Sequence, residues 1–163
     1  MTRTITTLAL AASLVAIAGC SNSPAEPQAA ETPQQAEARQ TVLDRLVDQE
    51  VAMEGSARVL TFSFPLTLTL ERDESGLGGT MAWAGRLETT NRVEGEIIEE
   101  DGRLGVKLVE VEHLVGDTAK LNAEHILFLD ESVTPPRLVG TWSNEGRSGS
   151  ISVAAPDTFD PGA

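Results

Sequence analysis

The chain has 163 residues, 25 of them acidic and 12 basic, for a formal net charge of −13, and its aromatic content is 4% with no tyrosine. That balance excludes a surface built to bind nucleic acid or anionic lipid, because both need clustered Lys and Arg. A single cysteine, Cys20, excludes an internal disulfide and a cysteine-built zinc site, and the core must come from Leu, Val and Ile.

Arg3 supplies a positive start, and residues 5–18 (ITTLALAASLVAIA) are apolar or small. This run of about 14 residues falls short of the ~20 that a membrane-spanning helix needs. A basic start, a short apolar core and small residues at its end predict a secretory signal peptide over residues 1–19. Ile17, Ala18, Gly19 and Cys20 close it in the order aliphatic, small, small, cysteine. That ending resembles the bacterial lipobox read by lipoprotein-processing enzymes. The resemblance implies that Cys20 becomes the first mature residue, with diacylglyceryl on its sulfur and usually a further acyl group on its amine. Two or three acyl chains anchor a protein stably where one does so only marginally. Ser21 in place of an aspartate implies, by that family's sorting rule, the outer membrane facing the periplasm if the source is Gram-negative. No second run is long enough to span a bilayer, so lipid is the only anchor expected.

Residues 20–36 predict a disordered tether: after the cysteine they hold prolines 24, 27 and 33 and no Val, Ile, Leu or aromatic residue. One β-rich domain follows over 37–155, with a loose acidic tail from 156 to 163. Val42, Leu43, Leu46 and Val47 fall on one stripe, which predicts an amphipathic helix over about 37–50, packed on the sheet or capping one end. Strands are expected over about 57–154. From Leu60 to Leu70 apolar even positions alternate with Thr61, Ser63, Pro65, Thr67 and Thr69, a long strand with one wet face. Pro65 removes a ladder donor and implies an edge, a bulge or a bend.

Further strands are expected near 77–84, with Met81 and Trp83 on one face, and over 91–99, with Val93 and Ile97 inward. Asp101-Gly102 is a hairpin signal. The return strand, 104–114, shifts its apolar face from Leu104, Val106 and Leu108 to Val109 and Val111, which implies a bulge near Leu108. Another strand is expected over 119–129, then a loop to Pro136 and a last hairpin, 137–144 with 148–154. About seven antiparallel strands without intervening helices define an all-β meander, a small barrel or a strongly curled sheet, with a sandwich as the alternative.

Few residues carry recognisable chemistry. His125 lies in an apolar register and His113 on the preceding strand. Together they suggest a metal pair, or a general base lining a cavity beside Glu112 or Glu124. Two histidines without a third clear ligand do not define a metal site, so one enclosed and one surface histidine is the simpler expectation. Glu94, Glu96, Glu99, Glu100 and Asp101 lack calcium-loop spacing and suit a solvated rim. Ser148, between Gly146 and Gly149, lacks the spacing of a nucleophile elbow. No phosphate-cradling loop or dinucleotide fingerprint is present, so no cofactor is expected.

Gly140-Thr141-Trp142-Ser143-Asn144, with Ser148 four residues on, resembles the first strand of the avidin family, and Gly-x-Trp recurs in calycin-type barrels. The avidin resemblance implies ligand-binding roles for Trp142, Asn144 and Ser148. It covers one hairpin near the end of the chain, and the family's tyrosine ligand has no equivalent. The calycin pattern implies that Trp142 closes a barrel end. The sequence thus leads first to a non-enzymatic, lipid-anchored envelope protein whose domain binds a protein partner or assists assembly. The alternatives are a calycin-like carrier of a small apolar ligand and a hydrolase-type enzyme using His125.

Overall fold

The computed structural model describes residues 33–161, apart from 75 and 118. The expected signal peptide, the Ile17-to-Cys20 motif and most of the expected tether lie outside the described residues. Helix α1 (Pro33–Asp48) precedes eight strands: β1 (Ala52–Val59), β2 (Phe62–Asp73), β3 (Gly76–Trp83), β4 (Thr89–Glu100), β5 (Arg103–Val115), β6 (Glu124–Asp130), β7 (Arg137–Asn144) and β8 (Arg147–Ala154). Each strand pairs antiparallel with the next, and β1 pairs with β8, so the sheet closes into a barrel. Closure removes every edge and excludes the sandwich.

Most strands follow from local chemistry. Asp101 and Gly102 both take positive φ, as do Glu145 and Gly146, and these two-residue turns set the β4–β5 and β7–β8 registers. Gly95 stands where a Cβ would lie 1.9 Å from the Lys107 carbonyl oxygen, so only glycine lets β4 and β5 coil this tightly. The carbonyl of Pro65 accepts from Ala84 N at 2.9 Å, just past the last β2–β3 pair, Leu66 with Trp83. The N–H that proline lacks would point to that same side, where the ladder has already ended.

Five expectations are corrected. The strand count is eight, because Ala52–Val59 is a strand in its own right. Its buried positions, Met53 and Ala57, flank a glycine, so its alternation carries little apolar signal. Leu60 does not open the inward face of the next strand; it sits at the β1–β2 turn with φ 52° and is 95% exposed. The helix begins at Pro33, not 37, since proline suits a first turn and Gln, Ala and Glu extend a helix without an apolar stripe. Residues 119–123 are loop, and β6 starts at Glu124. The tail is not loose throughout: Phe159 packs against the core, and Arg45 Nη1 donates to the Asp160 carbonyl at 3.4 Å.

Helix α1 closes one end of the barrel. Leu43, Leu46 and Val47 are fully buried and Val42 nearly so, against a core that includes Met53, Leu68, Leu70, Leu77 and Val153. Val51 N donates to Leu46 O at 3.1 Å and Glu50 N to Val47 O at 3.0 Å, with Glu50 at φ 49°, which is a Schellman ending. Arg39 Nη1 donates to Gly102 O at 2.9 Å, and Arg72 Nη2 meets Asp44 at 2.8 Å, tying the helix to two sides of the barrel. Exposed pairs of this kind contribute ~0.2–1 kcal/mol each, so the apolar seat holds the helix. Leu46→Ala is expected to cost about 2–5 kcal/mol in urea-denaturation free energy, and a loss under ~1 kcal/mol would mean the helix does not close the core.

Candidate functional site

The barrel end opposite α1 is open. A cavity of about 800 Å³ enters it, lined at depth by Trp83, Glu110 and Trp142 and nearer the mouth by Phe64, Ala119 and Ala123. Apolar atoms dominate its wall, as in most small-molecule sites.

The polar floor begins with two irregularities in β5. Against β4, Val93 pairs with Glu110 but Arg92 pairs with Glu112, leaving Val111 as an extra residue. In an unbroken strand, residues three apart face opposite sides; the bulge lets Glu110 and His113 both face inward. A second shift follows between Asn91 and Thr90, just before β5 ends. The expected face change is therefore real but lies at Val111, and the inward series runs Leu104, Val106, Leu108, Glu110.

Glu110 is 1% exposed and His125 is fully buried, yet both are paired. His125 Nε2 donates to Glu110 Oε1 at 2.8 Å, and Asn91 Nδ2 donates to Glu110 Oε2. That fixes the Asn91 amide with Oδ1 toward His113, whose Nδ1 donates to it at 2.9 Å. Thr89 Oγ1 stands 3.3 Å from the same Oδ1 and donates to the Val115 carbonyl at 2.9 Å. The result is a connected inner chain, His125–Glu110–Asn91–His113, supported by Thr89. Its tautomers follow from the partners: Nε2–H on His125 and Nδ1–H on His113.

Three buried nitrogens near this floor have no partner: His125 Nδ1, Trp83 Nε1 and Trp142 Nε1. His125 and Trp142 are directly opposite on β6 and β7, and the Trp83 ring centroid lies 6.3 Å from that of His125. Trp142 owes its seat to Gly149, where a Cβ would lie 2.7 Å from Nε1.

The two histidines therefore share one network without touching. The carboxylate between them is Glu110, and neither Glu112 nor Glu124 takes part. Glu112 pairs outside the barrel with Arg92 at 2.9 Å, and Glu124 with Lys107 at 2.9 Å. The sequence pattern does not single out Glu110, because a bulge expected near Leu108 continues the apolar face through Val109 and Val111 and passes over it. The available signal was the unbroken alternation from Leu104, with Asn91 and His125 in inward registers on the neighbouring strands.

Trp142, Asn144 and Ser148 all line the cavity. Asn144 Nδ2 is occupied by the carbonyls of Lys120 and Leu121, at 3.2 and 3.3 Å, and so ties down the β5–β6 loop. Ser148 is exposed at the rim. Lys120 pairs across the mouth with Glu145, and its hydrogen bond holds that carboxyl below the ordinary range. Among the described residues no group of three or more His, Cys, Asp or Glu is placed to hold a metal ion, and no helix is long and apolar enough to cross a membrane.

No family model, curated protein or solved structure matches the chain.

Removing the carboxylate would leave two buried donors without an acceptor. Glu110→Ala is expected to cost about 3–5 kcal/mol. Glu110→Gln should cost only about 1–2 kcal/mol, because the amide still accepts from Asn91 and His125 can change tautomer. Denaturant titration of both variants checks this; equal losses would mean that the pairing is not what holds the site.

Proposed function

We propose that the domain carries a small, largely apolar molecule in the open half of the barrel, and that Cys20 lipidation holds it on a bacterial membrane. The observation that carries the first part is the cavity itself. An eight-stranded barrel is just wide enough either to fill with side chains or to hold one small ligand. Here α1 and the Leu-rich layers fill one half, and the mouth half keeps a space of about 800 Å³. Site sizes of roughly 300–1,000 Å³ are usual for small-molecule pockets.

A protein-binding role at the same end has one specific observation in its favour. The exposed large apolar residues, Leu60 (95%), Phe62 (57%), Leu114 (47%) and Val115 (63%), all stand toward the mouth. A partner that loads or unloads the barrel would meet them first. A hydrolase role for His125 has less support, since its ring is fully enclosed and Glu110 is the network member that lines the cavity.

Both tryptophans line the cavity and tyrosine is absent, so intrinsic emission reports on this site. Titration with the apolar fluorophore N-phenyl-1-naphthylamine is expected to brighten the probe and quench the tryptophans. Ala123→Phe, which places a ring in the cavity, should weaken that binding by about tenfold or more, ~1.4 kcal/mol, while the melting transition stays cooperative. Equal binding by both proteins would remove the cavity as the site.

For the anchor, Cys20→Ser is expected to move the protein from the membrane fraction to the soluble fraction with its circular dichroism unchanged. Continued sedimentation with membranes after a carbonate wash would overturn the lipid anchor.

A further inference from the structure

The cavity's chemistry is narrower than its apolar wall suggests. The chain has two tryptophans and four phenylalanines. Both tryptophans and two of the phenylalanines, Phe62 and Phe64, line this one cavity. Of the other two, Phe128 lies under the Arg103 guanidinium at 4.0 Å, and Phe159 packs on the core beside the tail that Arg45 holds. An aromatic-poor protein thus gathers most of its rings around one space.

At the depth of that space is a carboxylate with little positive charge beside it. Among the described residues, the only basic side chain hydrogen-bonded to Glu110 is His125, a neutral imidazole in the Nε2–H tautomer, and no salt bridge joins Glu110 to a lysine or arginine. The cations that line the cavity, Lys120 in the β5–β6 loop and Arg147 at the start of β8, stand at the mouth, where Lys120 is already paired with Glu145. Each Glu110 oxygen accepts one hydrogen bond, and a carboxylate has about four lone-pair sites, so acceptor capacity remains. Aromatic faces and a desolvated carboxylate attract the same kind of group, an ammonium. Trp83 is 7% exposed, lines the cavity and has no partner for Nε1, so its ring is held there by packing alone.

Resting on the reading of the cavity as a small-molecule site, the geometry points to an amphiphilic organic cation as the ligand class. Its alkylammonium head sits among Trp83, Trp142 and Glu110, and its apolar body extends past Phe64 toward Phe62 and Leu60. An anionic head would face Glu110 with no cation beside it at that depth. A purely apolar ligand would leave the carboxylate's remaining acceptor sites unused in a space that water has left.

Three probes of equal chain length separate the possibilities: hexylammonium, 1-hexanol and hexanesulfonate, each titrated against the protein by tryptophan emission and by the shift of the melting transition. The ammonium is expected to bind about tenfold or more tighter than the alcohol, with the sulfonate weakest, since the cation gains from both the aromatic faces and the carboxylate. In Glu110→Gln the ammonium should lose about tenfold and the alcohol less than twofold. If the alcohol binds as well as the ammonium, or the substitution weakens both alike, the cation assignment is wrong and the cavity reading stands. If none of the three binds, both fall. Because the ranking of probes on the unaltered protein needs no substitution, a folding defect in the variant leaves the test intact.

Discussion

Glu110 must keep both carboxylate oxygens hydrogen-bonded inside an apolar barrel, and the architecture of the mouth half follows from that requirement. An ionised carboxylate buried without partners would cost many kcal/mol and would not persist. Here Asn91 and His125 each satisfy one oxygen, and His113 and Thr89 fix the amide of Asn91 in turn. These residues come from β4, β5 and β6, so the network binds three adjacent strands together from within. The bulge at Val111 puts Glu110 and His113 on the same side. A straight β5 would have sent one of them to solvent and broken the chain.

The two halves of the barrel thus solve the interior differently. Near α1, Leu43, Leu46, Leu68, Leu70 and Leu77 fill the space. Toward the mouth the layers change to Asn91, Glu110 and His125 with two tryptophans. Polar residues cannot interdigitate as densely as leucines without losing hydrogen-bond geometry, and the loops above them leave space instead of closing it. A cavity at this end is the physical counterpart of a polar floor.

How much of this was legible in the sequence divides along the same line. The stripe Val42-Leu43-Leu46-Val47, the alternation from Leu66 to Leu70 and the Asp-Gly and Glu-Gly turns are local signals, and the structure keeps each of them. Closure followed from the absence of helices between strands, which leaves a meander few other ways to hide its edges. The site was harder because it depends on register. Whether His113 or Glu112 faces inward beside Asn91 turns on one extra residue at Val111, and a single such residue reverses every side chain beyond it. Trp142, Asn144 and Ser148 were reachable because they share one hairpin. Trp83 and Glu110 were not, because only pairing across three strands, β3 to β5, brings them to the same cavity.

Leu60 adds a last argument about the mouth. A leucine at positive φ carries strain of order 1 kcal/mol that asparagine or glycine would relieve, and at 95% exposure it recovers none of it by burial. Across the opening, Leu114 and Val115 follow the second β5 irregularity and are likewise exposed. Local stability does not explain apolar side chains placed at a strained turn and at an irregular strand end. Both positions stand at the mouth end of the barrel, where, on the carrier function proposed above, apolar surface would lower the cost of moving a water-poor molecule from its source into the cavity. On that proposal the rim and the floor would divide the task by depth: apolar contact at the entrance, and aromatic faces with a single carboxylate at the end.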